Sequence, residues 1–476
     1  MLELDCGATF DAARDEEFFA TLPPRPAVVL LEPARPAELV SAAAGGHNDS
    51  DDVRPSADGV ALERPEPYLL RTADLRRRLE RLLRAPEAAT LPDGCIAPQA
   101  KRLNLRGFAA GVRYRLTGSA FEQSLAYYQH ARANFPRRYR DLARLRPPAL
   151  LKVNLANAYP RCYVTRRIFA DGGAYFGPFA SRKAAEAFSS EFLNLFKIRR
   201  CQIKIRRDPA FPGCIYSEMK MCLAPCFAGC SKEEYETEVG RVASFLQSAG
   251  TSYTGELERE REAASEATDY ERAAAVHTKI EKAAHILRDL PEVARRVEEL
   301  DAAILQRAAA ENAVAVFEVR GGRIADPFLL NFDELAGQPR SVEQILRERL
   351  EPNRLKPQIN AEERGLEGSE SKTSTQRHSE GAEVKETAGS LGGRAEGDVE
   401  TLRDHLSLLA RWFYSRPRAG EIFFREARSG ARTRRGDWPY RRILRGCSRV
   451  LAPQPSLPFE ATSGKPADDP KMENGK

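Results

Sequence analysis

Apolar and polar positions along the first 145 residues predict a small layered domain. Residues 26–31 (PAVVLL) form an unbroken apolar run of strand length, and 66–70 (EPYLL) offer a partner strand. In 74–84 (DLRRRLERLLR), Leu75, Leu79, Leu82 and Leu83 fall on one helical face. Arginines cover the other face, and Asp74 is placed to cap the first turn. Val112, Tyr114 and Leu116 alternate as in a half-buried strand, and 119–132 (SAFEQSLAYYQHAR) read as a helix. Between the first two strands, 45–59 (GGHNDSDDVRPSADG) read as a surface loop.

Further on, two apolar runs flank an Asp-Gly-Gly turn within 160–179 (PRCYVTRRIFADGGAYFGPF), which predicts a hairpin. Ser181 opens a helix that runs to about 197, and 232–248 carry Tyr235, Val239, Val242 and Leu246 on one helical side. Residues 254–287 divide near Asp269 into two helical stretches rich in Ala and charge. Neither has an apolar face broad enough to stand alone, so a helical hairpin completed by a partner is predicted. Strand character returns at 313–332 around the Arg-Gly-Gly turn 320–322. Residues 359–398 hold almost no large apolar side chain and read as a disordered linker, followed by a small segment at 399–452.

The fold class is therefore α/β of the segregated α+β kind. Boundaries are expected at 20–145, 150–250, 251–290, 311–358, 359–398 and 399–452. A length of 476 residues suits two or three domains, and the composition is that of an ordinary soluble chain. No apolar run reaches about 18 residues, so no membrane span is expected. The acidic N-terminus lacks a basic-then-apolar leader, which points to the cytoplasm. The net charge of +6 is modest, but arginines cluster at 71–84, 199–207 and 425–449, a placement able to neutralise phosphates.

Five of nine cysteines fall between 201 and 230. Cys201, Cys214, Cys222 and Cys226 follow a C-x12-C-x7-C-x3-C pattern with Cys230 to spare. In a reducing compartment such a group reads as metal ligation rather than disulfides. Pro225 stiffens the closing turn. The spacing lacks the paired C-x2-C of a zinc finger and suits a loop folded around a cluster. Unligated cysteines packed as small hydrophobes are the alternative.

YFGPF at 175–179, IRRC at 198–201, PGCIYSEMKMCLAPC at 212–226 and EEY at 233–235 together resemble the middle of the UvrC family, the nuclease subunits of the bacterial excinuclease. The resemblance implies a 4Fe–4S cluster on the four cysteines, with zinc as the alternative. AASEATDYERAAAVHTKI at 263–280 is similar to the UVR motif shared by UvrC and UvrB. That likeness implies UvrB binding through Tyr270, Glu271 and Ala274, with Ala273, Ala274 and Ile280 in the apolar seam.

The N-terminal domain resembles the GIY-YIG nuclease of the same family. The resemblance implies Tyr68 as the proton-handling tyrosine, Arg71 and Arg78 as phosphate-neutralising cations, and Glu122 as the ligand of Mg or Mn. Three positions depart from the family pattern: Val29 replaces a tyrosine, Leu70 a glycine, and Arg140 aligns best with an asparagine. Residues 313–332 and 406–424 are similar to the segments that follow the UVR motif, and neither an RNase H-like nuclease nor helix-hairpin-helix units are expected after them. Two functions follow from the resemblance. One is a metal-dependent endonuclease making a single 3′-side incision in damaged double-stranded DNA after recruitment by UvrB. The other is a catalytically inactive homologue that binds DNA and UvrB.

Overall fold

A computed structural model describes residues 1–33, 66–85, 103–335, 337–351, 396–426 and 436–452. The polar stretch 45–59 and Cys95 lie outside the described residues, as does the expected linker except for its last three positions. The chain divides into two compact units. One is Met1–Arg144 with Gln306–Ala315 and Val450–Lys476; the other is Leu145–Leu305 with Val316–Arg449.

The first unit holds an antiparallel sheet of β1 (Cys6–Thr9), β2 (Ala27–Pro33), β3 (Tyr68–Thr72) and β4 (Ala109–Leu116), in the order β1-β4-β2-β3. β2 lies inside the sheet and is apolar on both faces, which explains its unbroken run. Ala27, Val29 and Leu31 join a core with Leu70 and with Phe18 and Phe19 of α1 (Asp15–Thr21). Leu75, Leu79, Leu82 and Leu83 of α2 (Leu75–Leu83) complete it, and Asp74 caps that helix by accepting from the Arg77 N–H. The opposite face carries α3 (Ala120–Asn134), whose N-cap Ser119 accepts from the Glu122 N–H. The sheet begins upstream of residue 20, which corrects the expected boundary. Cys6–Thr9 pair with Gly111–Tyr114, and the backbone carbonyl of Leu2 meets His130 Nε2 at 2.7 Å.

In the second unit, β6 (Cys162–Thr165) and β7 (Ala174–Phe179) form as expected but do not pair with each other. β5 (Ala149–Val153), buried at every position, lies between them, and β8 (Arg295–Arg296) adds an edge to give the order β6-β5-β7-β8. The expected hairpin is therefore a crossover, because the apolar run ALLKV takes the centre where two buried faces are available. Phe188 and Phe192 of α4 (Arg182–Phe192) pack over this sheet. Tyr235, Val242 and Phe245 belong to the same core, as do Leu257, Val276, Ala283 and Ile286 farther along the chain.

β9 (Ala302–Arg307), β10 (Ala313–Arg320), β11 (Arg323–Ile324), β12 (Phe328–Asn331) and β13 (Glu421–Phe424) form one sheet in the order β11-β10-β9-β13, with β12 on β10. Gly321 and Gly322 both take positive φ (52° and 75°), as a tight two-residue turn demands. β13 lies beyond the expected linker and pairs antiparallel with β9, Glu421 opposite Leu305. Leu402 and Leu406 of the helix Glu396–Phe413 cover Gly322, and His405 Nδ1 accepts from the Ile324 N–H at 2.9 Å. The segments expected at 311–358 and 399–452 as separate pieces thus share one sheet, a second correction.

Candidate functional site

The nuclease-like residues stand on both faces of the first sheet. Positions 68 and 71 fall on opposite faces of β3. Tyr68 packs against the core shared with α1 and α2, while Arg71 turns to α3, with Nη1 3.5 Å from Ser124 Oγ and its guanidinium 5.6 Å from the Tyr127 ring centroid. Burial holds the Arg71 pKa below its ordinary value, and burial raises that of Tyr127, which also senses the charges of Arg71 and Tyr68. Tyr127 is therefore the α3 ring that stacks with Arg71.

Glu122 is engaged elsewhere. Its side chain is 3% exposed; Oε2 accepts from the Gly118 N–H at 2.9 Å, and Oε1 lies 3.5 Å from Nε of Arg115 on β4. Burial pushes its carboxyl above the usual range, and the Gly118 N–H and Arg115 oppose that shift without reversing it. Arg78 on α2 is half-buried, and its Nε is buried without a hydrogen-bond partner. Among the described residues, no two of Tyr68, Arg71, Arg78 and Glu122 share a hydrogen bond or ion pair. Val29 and Leu70, the two altered motif positions, are cross-strand partners in the core. Arg140 stacks on Tyr139, 5.1 Å from the ring centroid. The sequence reading missed Arg115 and Tyr127. Both lay in plain alternation or helical spacing, without a motif to single them out.

The cysteine segment is built by turns. Ala224 and Ala228 take left-handed φ (56° and 61°) on either side of the one-turn 3-10 helix Pro225–Phe227. Between Cys214 and Cys222 lies a single α-turn, Ile215–Glu218, whose Ser217 Oγ accepts from the Cys214 N–H at 3.0 Å. Burial pushes the Cys222 thiol up to about 11, and the charges of Cys201, Cys214 and Cys226 push in the same direction. The four sulfurs are thus within electrostatic reach of one another. Arg199 Nη1 approaches Cys201 Sγ at 3.9 Å, and the Ala224 N–H approaches Cys222 Sγ at 3.3 Å. Among the described residues, no group of three or more His, Cys, Asp or Glu is arranged to hold a metal ion. Cys230 belongs to the apolar core instead.

The helical hairpin consists of Thr251–Glu266 and Tyr270–Arg288, and Asp269 caps the second helix by accepting from the Arg272 N–H. Leu257, Ala264, Val276, Ala283 and Ile286 are buried. Tyr270 is 70% exposed, and Glu271 and Ala274 are also exposed. Ala273 and Ile280 are half-buried. Of the apolar seam expected from sequence, Ala274 therefore faces outward, and Val276 occupies the inner position.

Residues 149–245 match the model of the UvrC/Cho excinuclease middle domain, and residues 251–284 match the UvrB/uvrC motif. The likeness to the UvrC family thus lies in residues 149–245 and 251–284. UvrABC system protein C of Acetivibrio thermocellus is 30% identical over 175 residues, covering 37% of this chain and 28% of the relative. That of Desulfatibacillum aliphaticivorans is 30% identical over 215 residues, covering 44% and 34%. That of Moorella thermoacetica is 24% identical over 283 residues, covering 59% and 44%. The UvrC-like chain thus spans less than half the length of each of these relatives. No solved structure matches. No helix among the described residues is long and apolar enough to cross a membrane.

Proposed function

We propose that this chain is a UvrC-type factor of nucleotide excision repair that docks on UvrB through the 251–288 hairpin and contacts damaged double-stranded DNA without cutting it. Its place of action is the cytoplasm. The observation that carries the reading is the hairpin itself: its inner seam closes on the chain's own core, and Tyr270 with Glu271 and Ala274 is left outside, open to a like hairpin. The test is UvrB binding by Tyr270→Ala. An exposed aromatic anchor at the centre of such an interface is worth about 2 kcal/mol, so affinity should fall about thirtyfold. Unchanged affinity would overturn the docking mode.

Cys201, Cys214, Cys222 and Cys226 would hold the 4Fe–4S cluster. Thiolates sharing one zinc ion stand about 3.8 Å apart, given a Zn–S bond of about 2.3 Å. The C-x12-C-x7-C-x3-C spacing lacks the paired C-x2-C of a zinc finger and suits a loop folded around a multi-iron cluster better than a zinc site. When bound, such a cluster stores or passes one electron and ties the loop together. Arg199 and the Ala224 N–H would stabilise the thiolates' negative charge.

The non-cutting reading rests on Glu122 and Tyr127. A metal-holding carboxylate must be free to take the ion, whereas Glu122 is held by Arg115 and the Gly118 N–H, and the α3 residue that meets Arg71 is Tyr127. One observation favours the alternative, a single 3′-side incision with Mg or Mn on Glu122: the partnerless Nε of Arg78 is suited to a phosphate. A nicking assay with UvrB and manganese on a lesion-bearing duplex separates the two. Equal trace cutting by wild type and Glu122→Ala is expected; cutting abolished in the variant would restore the nuclease.

A further inference from the structure

Many of the arginines among the described residues are tied into ion pairs or stack on rings, but the loop that carries the cysteines is different. Residues 197–220 hold seven Lys or Arg against two Asp or Glu. Lys204, Arg206 and Lys220 are exposed, and their side chains have no hydrogen-bond or ion-pair partner among the described residues. The same loop displays apolar side chains that a free surface ordinarily hides. Ile203 is 47% exposed, Ile215 64% and Met219 61%. Ile215 and Met219 are four residues apart on one turn and so share a face.

This display is rigidly built. The Met219 N–H donates to the Ile215 carbonyl at 2.9 Å, and Ser217 Oγ both donates to the Cys214 carbonyl and accepts its N–H. The Met221 N–H donates to the Tyr216 carbonyl, and Lys220 takes a left-handed φ of 54° to bring the chain back to Cys222. On the other arm, the Arg199 guanidinium holds the Ile203 carbonyl at 2.9 Å, and the Asp208 N–H donates to the Cys226 carbonyl at 2.9 Å. A chain segment advances at most about 3.6 Å per residue. Ile203 and Lys204 therefore lie within about 11 Å of Cys201, Ile215 within about 4 Å of Cys214, and Lys220 within about 7 Å of Cys222. The two arms meet: the Arg200 guanidinium lies 5.9 Å from the Tyr216 ring centroid and the Leu223 N–H donates to the Lys197 carbonyl at 2.9 Å, so the unpaired cations and the exposed apolar groups spring from one small region.

We propose that this loop is a duplex-DNA contact, with Lys204, Arg206 and Lys220 on backbone phosphates and Ile215 and Met219 pressed against an opened base step. Unpaired cations beside a fixed apolar edge match what the backbone and an unstacked step offer together: counterion release from the phosphates and burial of the apolar wedge. The inference rests on the DNA-repair reading above and adds the surface and its chemistry.

The test is fluorescence anisotropy of the full chain, purified anaerobically, on a labelled duplex with a central mismatch, across a range of salt. Neutralising all three cations to Ala should lower the slope of log affinity against log salt by about 2–3. At about 0.1 M salt the affinity should fall at least tenfold. Ile215→Ser with Met219→Ser should weaken binding about fivefold with the slope unchanged, since no charge is lost. UvrB affinity and absorbance near about 400 nm serve as controls for an intact hairpin and cysteine loop. Unchanged slope and affinity in both variants would overturn the proposal. So would apolar variants that lose UvrB but keep DNA, since the loop would then be a protein interface. Loss of UvrB binding by Tyr270→Ala, with DNA affinity retained, would leave this inference standing and test only the docking mode.

Discussion

If Arg115 holds Glu122 as the geometry indicates, the two residues should be energetically coupled, and that coupling can be measured. The perturbation is a double-mutant cycle of Arg115→Met, Glu122→Gln and the pair. Removing one partner of a fully buried ion pair costs roughly 3–5 kcal/mol, because the other charge stays desolvated. Here three features reduce the figure. The Nε–Oε1 distance is 3.5 Å, the Arg115 side chain is 19% exposed, and the Gly118 N–H remains on Glu122. A coupling of about 1–2 kcal/mol is expected at neutral pH. Arg115 also touches Asp5, at 3.3 Å, and the cycle subtracts that contact. The chain has two compact units, so global unfolding is a poor readout, and hydrogen exchange of peptides spanning 109–134 is the right assay. The pH dependence gives a second handle. Burial raises the Glu122 pKa, so the folded state holds its proton more tightly than the unfolded chain. The associated stability is full below the unfolded pKa and is lost as pH rises through the folded one. Glu122→Gln should therefore gain on wild type as pH climbs from about 4.5 toward neutrality. A coupling below about 0.3 kcal/mol would refute the reasoning. Protection of the same peptides by millimolar Mg in wild type would refute it too, since Glu122 would then be free to bind a metal.

Two further outcomes follow. Ile286→Ala removes a fully buried side chain from the base of the hairpin and should cost about 2–4 kcal/mol, read as faster exchange across 251–288 with the first unit unaffected. Asp171 pairs with the buried Lys152, which lies 5.1 Å from the Tyr175 ring centroid, and Tyr175 Oη donates to the Asp171 carboxylate at 3.3 Å. Partial burial raises the Asp171 pKa, but the hydrogen bond from Lys152 and the Gly173 N–H outweigh it and leave the value lowered. Its contribution is present above the unfolded pKa and lost as pH falls through the folded one. Asp171→Asn should loosen 166–173 near neutrality, by well under about 1 kcal/mol because the carboxylate is 45% exposed, and the difference should vanish once the pH has fallen below the folded pKa. Equal exchange of that loop at neutral pH would count against the lock.

What could be read from sequence follows from where each signal lives. The leucine face of 75–83, the cap at Asp74 and the helix break at Asp269 are local, and each appears where periodicity and capping chemistry put it. The errors came from long-range pairing. Cys162–Thr165 and Ala174–Phe179 look like a hairpin because turn residues separate them; the strand that divides them, Ala149–Val153, precedes both and carries no turn signal. Cys6–Thr9 is four residues of small side chains with no alternation to read. Glu421–Phe424 is too short to announce that it pairs with Ala302–Leu305, more than a hundred residues earlier. Closing so long a loop adds little cost, since each doubling of length adds only about 0.6 kcal/mol, so sequence distance was no argument against the pairing.

The same distinction explains why the two halves of the functional reading differ in strength. A candidate thiol site announces itself by residue type and spacing, and both are visible in a row of letters; the left-handed residues Lys220, Ala224 and Ala228 that turn this loop are not glycines and were not. A nuclease centre depends on which face of a sheet each residue takes and which helix turn lies above it. Glu122 and Tyr127 are five residues apart on one helix, and at about 100° per residue that rotates them about 140° away from each other. The two side chains therefore point to different strands. Glu122 reaches Arg115 on β4, while Tyr127 meets Arg71 on β3, with β2 between the two. Filling the Val29–Leu70 pair with apolar side chains strengthens the sheet that carries the site, so fold stability and catalytic competence can part company here. The domain can persist as a well-packed body whether or not it cuts.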